Sequence, residues 1–166
     1  MLLKTQRLEL HPIDDAHAEI LLDIFRNAQV RRYLLDDQLV SPEWVQKEIR
    51  DSKQRFLSGQ AGLWILKIAG KGNVAGFAGF RDFLEPPRLQ LLYGLLPEFW
   101  GQGLALEAAR RLCEYGFSDL NFERIEAAAD TPNLRSIQVL ERMGMSRVER
   151  NESEDNSMAI YELTRY

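Results

Sequence analysis

Hydrophobic and polar residues change their spacing several times along the chain, and each change marks a predicted element boundary. Apolar and polar residues alternate over 7–12, as is typical of a strand, and Pro12 closes it. Later apolar runs of strand length cover 63–69, 74–80 and 89–96. Gly70-Lys71-Gly72-Asn73 separates the first two runs and predicts a hairpin.

Two helices are predicted between the first strand and these runs. The first follows Asp14-Asp15, which can cap it. Its apolar stripe at helical spacing consists of Ile20, Leu21, Ile24 and Phe25. The second begins at Ser41-Pro42, with serine as the cap and proline in the first helical position. On this helix we expect Val45 and Ile49 to be buried and Glu48 to be mainly solvated.

The second half of the chain is predicted to alternate helices and strands. An Ala- and Leu-rich helix follows Gly103, and a short strand of small residues covers 124–129. Asn133 can cap a further helix, and Gly144 is placed to end it. Strands over 146–149 and 158–164 come last. The order predicts a mixed α/β (α+β) fold, largely antiparallel at first, with a strand–helix–strand crossover in its second half.

The stretch 92–108 joins a strand end, a tight turn and a helix start. Pro97 stops the strand, and the turn that follows contains Gly101 and Gly103. The first turn of a helix leaves backbone N–H groups without partners, and glycine lets an anion approach them closely. The stretch therefore predicts a phosphate site, and a turn that merely connects two elements is the alternative. The Gly-Lys-Ser/Thr ending of a P-loop and the third glycine of a dinucleotide fingerprint are both missing.

Composition narrows the functional classes. With 166 residues, 45% of them apolar and 28% charged, the chain is expected to fold as one globular domain spanning 1–166. A net charge of −4 gives no basic field for nucleic acid or an anionic membrane. No uncharged apolar run approaches membrane length, and the N-terminus lacks the apolar core of an export signal. The single cysteine, Cys113, is compatible with a reducing cytosol, so a cytoplasmic location is expected.

Two motifs resemble those of the GNAT N-acetyltransferases. Trp100-x-x-Gly103-x-Ala105 is similar to the acyl-CoA signature of that superfamily, in the branch related to ribosomal-protein N-terminal acetyltransferases. In that branch Trp commonly replaces the leading Gln or Arg. Residues 133–145 resemble the family's second motif, Asn-x-x-Ser followed by Glu-Lys-x-Gly-Phe. The resemblance extends over essentially the whole chain and implies a mostly antiparallel sheet with helices on both faces and a splayed central strand pair.

The resemblance implies that acetyl-CoA is the cosubstrate. Backbone groups of Leu95 and Leu96 would hold the pantetheine and the thioester, and the N–H groups across 101–105 would hold the diphosphate. Asn133 would hydrogen-bond the pantetheine, although a plain helix cap is the alternative. The implied cofactor-binding residues are Leu95, Leu96, Gly101, Gln102, Gly103, Leu104, Ala105, Asn133 and Ser136.

The acid and base of the reaction are less well marked in the sequence. Many relatives carry Glu at the position of Gln90, and much of the superfamily carries Tyr at the position of Leu140. Ser136 is the candidate donor toward the departing sulfur, with a serine bonded to its own backbone as the alternative. The base is left open. Its candidates, each of which has a solvated loop charge as the alternative, are Glu85, Glu98, Asp36 and Asp37.

The expected activity is transfer of an acetyl group to a primary amine by direct attack in a ternary complex. The acceptor implied by the branch is a protein N-terminus; a small-molecule amine is the alternative, and a silent acyl-CoA-binding module or a site for another nucleotide are rival classes. A monomer and a homodimer are both compatible with the sequence. His11 and His17 lack metal-ligand spacing, so no metal is expected. Cys113 has the context of a buried, inert thiol.

Overall fold

A computed structural model describes residues 1–83, 88–149 and 157–165 of the chain. The described residues form an eight-stranded sheet with the spatial order β1-β2-β3-β4-β5-β6-β8-β7. Its strands are β1 (Leu3–Lys4), β2 (Leu8–Pro12), β3 (Leu63–Ile68), β4 (Val74–Phe83), β5 (Arg88–Leu95), β6 (Arg124–Asp130), β7 (Ser146–Val148) and β8 (Met158–Thr164). Neighbouring strands are antiparallel except β5 and β6, which are parallel.

Helices cover both faces of this sheet, as predicted. They are α1 (Ala18–Arg26), α2 (Ala28–Arg31), α3 (Pro42–Leu57), α4 (Leu104–Ser118) and α5 (Leu134–Arg142). The predicted caps of α3 and α5 are confirmed, since Ser41 Oγ accepts from the Trp44 N–H at 3.1 Å and Asn133 Oδ1 from the Ser136 N–H at 3.3 Å. Within the described ranges, no helix is both long and apolar enough to cross a membrane.

The sheet separates two apolar cores, because successive residues of a strand point to opposite faces. The core beneath α1 and α3 includes Leu21, Ile24, Val45, Ile49, Ile65 and Phe77. The core beneath α4 and α5 includes Trp64, Ala78, Leu91, Leu95, Leu112 and Leu140. Leu92 and Leu96 contact the first core, whereas Leu91 and Leu95 belong to the second, so β5 contributes to both. The fold thereby places β5 and the start of α4 at its centre.

The predicted order of elements is confirmed, with small additions. The structure adds the short strand β1 and the single-turn helix α2, which are too short to show a period, and it extends β4 to Phe83. The expectation that Glu48 is solvated is wrong: the residue is 7% exposed. Arg81 of β4 holds its carboxylate through Nε at 3.0 Å and Nη2 at 2.9 Å, a long-range contact that helix periodicity does not reveal.

The predicted splay of the central strands is also confirmed. In the described part of the sheet, β5 and β6 pair at Gln90 with Glu126 and at Leu91 with Ala127, and not beyond. The pairing of β5 with β4 continues to its end, where Leu95 lies opposite Gly76. Because β6 leaves β5 after Leu91, a gap opens along the last part of β5 and leads toward the start of α4.

Candidate active site

The edge of β5 that faces the gap is set by the hydrogen-bond alternation of an antiparallel pair. The Leu96 N–H donates to the Ala75 carbonyl at 2.8 Å, on the β4 side. Alternation therefore turns the N–H and C=O groups of Leu95 and Tyr93 to the other side, into the gap. Leu96 also accepts from the Phe99 N–H at 2.9 Å, so both of its backbone groups are used within the protein. The residues that present backbone groups to a ligand in the gap are Tyr93 and Leu95.

Tyr93 was missed by the sequence analysis, which placed the ligand on Leu95 and Leu96. Tyr93 is identified by register. Backbone groups of residues two apart on one strand point to the same edge, so Tyr93 faces the gap wherever Leu95 does. This register signal becomes usable once the partner of Leu96 is known. The composition of the stretch alone does not provide it.

The turn between β5 and α4 presents a group of N–H donors, which we call the amide cluster (the backbone N–H groups of residues 101–106). Gly101 and Gly103 have φ angles of 73° and 77°, values that glycine adopts readily. The first helical bond of α4 runs from the Glu107 N–H to the Gly103 carbonyl at 3.1 Å. Among the described residues, none of these six N–H groups donates to a protein acceptor.

The amide cluster fits a phosphate-bearing ligand. Backbone N–H groups in a left-handed turn that leads into a helix N-terminus converge on an anion, and the helix dipole adds to their attraction. The structure brings Gly101, Gln102, Gly103, Leu104 and Ala105 together in one turn, and Leu106 completes the cluster. A Cβ built on Gly101 would meet nothing within 4 Å, so the glycine is there for its backbone angles rather than for lack of space.

Trp100 ties this turn to its surroundings. Its indole Nε1–H donates to the Leu95 carbonyl at 2.8 Å, and the guanidinium of Arg135 on α5 lies 4.3 Å from the centre of a Trp100 ring. The second contact is of the cation–π type. Trp100 therefore links the end of β5 to α5, and the carbonyl of Leu95 retains a second lone pair for a ligand in the gap.

On the α4–α5 face, Tyr93 and Ser136 meet next to the gap. The Tyr93 hydroxyl lies 3.0 Å from Ser136 Oγ and 3.3 Å from the Ser136 carbonyl oxygen. Burial raises the pKa of Tyr93 to about 12, so the phenol stays neutral and keeps its proton at physiological pH. Asn133 caps α5 with its amide oxygen, which leaves its NH₂ group to contact a ligand. Leu140, at the position where much of the superfamily carries Tyr, is buried in the core.

On the opposite face, a polar row crosses the sheet at the closed end of the gap. The register places Arg81, Gln90, Glu126 and Glu162 side by side on four neighbouring strands. Gln90 and Glu126 are 5% and 6% exposed. Arg124 Nε lies 4.0 Å from Glu126 Oε1. Glu126 is a carboxylate that sequence analysis missed, because an alternating acidic residue in a strand normally indicates a solvated face.

The carboxylates named from the sequence lie elsewhere. Glu98, Asp36 and Asp37 are exposed, and Asp37 pairs with Arg31 Nε at 2.9 Å. Glu85 lies outside the described residues. Burial raises the pKa of Asp130 at the end of β6, and the negative charge of Asp36 adds to this effect.

The remaining reactive side chains have local roles. Cys113 is buried in the α4 core, and burial raises the pKa of its thiol to about 12, which accords with an inert thiol rather than an acyl carrier. His17 accepts from the Asp14 N–H at 3.1 Å, and His11 Nε2 lies 3.3 Å from Glu9. In the part of the chain that is described, no group of three or more His, Cys, Asp or Glu side chains is arranged to hold a metal ion.

Known proteins are similar to this chain in sequence and in fold. A family model described as an acetyltransferase (GNAT) domain matches residues 7–146. The chain is 29% identical over 146 residues to the uncharacterized N-acetyltransferase p20 of Bacillus licheniformis, which covers 87% of this chain and 82% of that protein. It is 25% identical over 147 residues to spermidine N(1)-acetyltransferase of Escherichia coli K12, covering 84% and 73%. The structure of RimL, a ribosomal L7/L12 alpha-N-protein acetyltransferase in complex with coenzyme A, matches with a TM-score of 0.81 at 18% identity, covering 99% and 98%.

The family match spans most of the chain, and the chain therefore belongs to the GNAT acetyltransferases. The resemblance identified from the residues around Trp100 and Asn133 is confirmed, and so is the expected fold. The protein is thus an acetyl-CoA-dependent N-acetyltransferase.

Proposed function

We propose that residues 1–166 form one catalytic domain that transfers the acetyl group of acetyl-CoA directly to a primary amine in a ternary complex. The observation that carries the proposal is the continuity of the gap-facing edge of β5 with the amide cluster. Acetyl-CoA supplies the activated thioester for this reaction. A cytosolic setting accords with the single, buried cysteine.

The dimensions of the site support binding of acetyl-CoA along β5, with its diphosphate on the amide cluster. Pantetheine, with its two amides, is about as long as four residues of extended peptide, or ~14 Å. Four residues of β5 cover the same length, so a diphosphate on the amide cluster would place the thioester near Tyr93. There the gap-facing N–H of Tyr93 can polarise the thioester carbonyl. Leu95 can pair with the pantetheine amides, and Asn133 can contact them from the α5 side.

The two faces of the sheet can then serve opposite proton transfers. The amine nitrogen forms its bond to the carbonyl carbon, the carbon–sulfur bond breaks, the nitrogen loses a proton and the thiolate sulfur gains a donor. Ser136 lies on the α4–α5 face and is assigned to the sulfur, with Tyr93 orienting its hydroxyl. Glu126 lies on the other face at the closed end of the gap, and we assign it to the amine proton, directly or through a water.

A protein N-terminus is the acceptor that we propose. An α-amine has a reference pKa of about 8 against about 10.4 for a lysine, so it loses its proton more readily at neutral pH. The similarity in fold to RimL, described as an α-N-protein acetyltransferase, agrees with this choice. The similarity to a spermidine acetyltransferase supports a small polyamine as the second candidate.

Turnover with matched acceptors tests the proposal. Purified protein and acetyl-CoA are incubated with a peptide bearing a free N-terminus, with the same peptide blocked by N-acetylation, and with spermidine. Coenzyme A release is followed together with product mass. We expect release with the free peptide and none with the blocked one. Release with spermidine alone would favour the second candidate. Binding of coenzyme A without release on any amine would indicate a non-catalytic module.

Replacing Ser136 by alanine is expected to lower kcat by about 10-fold or more with little change in KM for acetyl-CoA. The hydroxyl is assigned to charge that develops on sulfur during bond breaking, and such contacts act on kcat. Tyr93→Phe should give a smaller decrease, because it removes the partner of the donor. Ser118→Ala, at the exposed end of α4, is the matched control. An unchanged kcat in Ser136→Ala would remove Ser136 from the mechanism.

Glu126→Gln is expected to lower kcat by about 100-fold, the usual contribution of a positioned general base. The loss should be greatest below the pKa of the amine, where most of the acceptor is protonated. Glu162→Gln changes the next residue in the same row, farther from the gap, and should retain most of the activity. Equal losses in the two variants would show that the row has a structural role only.

A further inference from the structure

Arg7, just before β2, is hydrogen-bonded to the turn that carries the amide cluster. Its backbone N–H donates to Glu107 Oε1 at 2.8 Å and its Nε to Glu107 Oε2 at 2.7 Å. Its Nη1 donates to the Gln102 carbonyl at 2.7 Å. The Arg7 side chain thus joins the first turn of α4 to the Gln102–Gly103 peptide. Gly101 and Gly103, on either side of Gln102, both have positive φ angles. Arg7 and these residues are about a hundred positions apart in sequence.

Glu107 holds the Arg7 side chain in this position. Its side chain is 18% exposed, and Thr5 Oγ1 donates to Oε1 at 2.6 Å. Burial opposes ionisation, but the hydrogen bonds from Thr5 and Arg7 outweigh it and lower the pKa of Glu107. A carboxylate in the first turn of a helix is also favoured by the dipole. The Glu107 carboxylate therefore stays charged at neutral pH.

The contact with Gln102 sets the direction of a donor. In a planar trans peptide, the carbonyl of one residue and the N–H of the next point in opposite directions. When the Gln102 carbonyl accepts from Arg7, the Gly103 N–H must point away from Arg7, toward the open side of the turn. This peptide is followed by Gly103, whose φ is little restricted, so it is easy to reorient in the absence of such a contact.

Arg7 also brings charge to the turn. Its side chain is 46% exposed, and a Cβ built on Gly103 would lie 3.5 Å from Arg7 Nη2. Among the described residues, Nη2 donates no hydrogen bond within the protein. A guanidinium offers several donors in a fixed fork, so Nε and Nη1 can hold Glu107 and Gln102 at the same time.

We propose that Arg7 is a positioning residue of the diphosphate site: by holding the Gln102 carbonyl, it keeps the amide cluster in its anion-binding form. The inference rests on the proposed function, since it assumes that the amide cluster binds the diphosphate of acetyl-CoA. It makes Arg7 specific for the phosphate part of the cosubstrate. Loss of Arg7 should not affect binding of the pantetheine part or of the amine.

A substrate that lacks the phosphates separates this role from a structural one. In Arg7→Gln, kcat/KM for acetyl-CoA should fall by about 10- to 100-fold, the effect of losing one charged hydrogen bond. For S-acetylpantetheine, which has no diphosphate, kcat/KM should stay within about 2-fold of the wild-type value, since that thioester never contacts the amide cluster. Calorimetric Kd values for coenzyme A and for pantetheine give the same comparison without turnover. Arg7→Lys should recover part of the loss, because an ammonium keeps the charge but not the fork.

Arg110→Gln is the matched control. Arg110 lies on the same helix as Glu107, is exposed and donates to the Arg142 carbonyl at 2.9 Å, so its loss should leave both thioesters unaffected. Equal losses for acetyl-CoA and S-acetylpantetheine in Arg7→Gln, or no loss for either, would overturn the inference. If Arg7→Gln does not fold, the comparison is made with Arg7→Lys. A wild-type protein that does not bind coenzyme A would instead overturn the proposed function.

Discussion

Replacing Gly103 by valine (Gly103→Val) is expected to lower kcat/KM for acetyl-CoA by about 1000-fold. Gly103 has a φ of 77°, where a β-branched residue is strongly disfavoured, so the turn must rearrange. Rearrangement turns several N–H groups of the amide cluster away from the diphosphate. Each hydrogen bond to a charged group contributes about 1.5–3 kcal/mol, so losing two or three accounts for the decrease. Steady-state kinetics with acetyl-CoA varied at a fixed, saturating amine measures the effect.

Gly59→Val provides the control for backbone strain. Gly59 follows α3 and has a φ of 76° with nothing within 4 Å of a built Cβ, so valine there meets the same torsional penalty far from the gap. Its melting temperature should decrease by a similar amount, whereas KM for acetyl-CoA should not change. If Gly103→Val bound coenzyme A as tightly as Gly59→Val does, the amide cluster would not be the diphosphate site.

Replacing Gly76 by alanine is expected to destabilise the protein by about 3 kcal/mol, near the upper limit for an overpacked site. A Cβ at position 76 would lie 2.1 Å from the Gly94 carbonyl oxygen and 2.8 Å from the Leu95 Cα, both backbone atoms that cannot simply rotate away. β4 would have to move from β5 at the level where β5 presents Leu95 to the gap. For a chain of this size, the expected decrease in melting temperature is about 6–12 °C.

Gly70→Ala, in the hairpin between β3 and β4, tests whether close approach is the cause. Gly70 has a φ of 75° and open space around a built Cβ, so alanine there should cost about 1–2 kcal/mol through backbone strain alone. Urea unfolding followed by circular dichroism gives both free energies of unfolding. A loss in Gly76→Ala no larger than that in Gly70→Ala would contradict the tight β4–β5 contact.

Elements with a strong period and a marked boundary could be predicted from the sequence. Ser41-Pro42 and Asn133 identified the starts of α3 and α5 because caps are local chemistry. The glycine turn could be placed for the same reason, since left-handed backbone angles restrict residue choice at the position itself. The order of strands and helices followed from these local signals.

Features that depend on register could not be predicted in the same way. The gap-facing role of Tyr93, the burial of Glu48 under Arg81 and the position of Glu126 beside Gln90 arise from pairing between distant segments. Arg7 is the clearest case. In the sequence it is an ordinary charged residue at the start of a strand, and its contacts with Gln102 and Glu107 exist only after β2 and α4 have packed together.

Amide-resolved NMR during titration with coenzyme A shows whether the amide cluster and the gap-facing edge of β5 bind the cosubstrate. In the free protein, the N–H groups of residues 101–106 should exchange rapidly with solvent, because the described residues offer them no acceptor. On addition of coenzyme A, these amides and those of Tyr93 and Leu95 should show the largest shifts and become protected. Saturating coenzyme A that leaves these amides unshifted, or free protein in which they are already protected, would contradict the account.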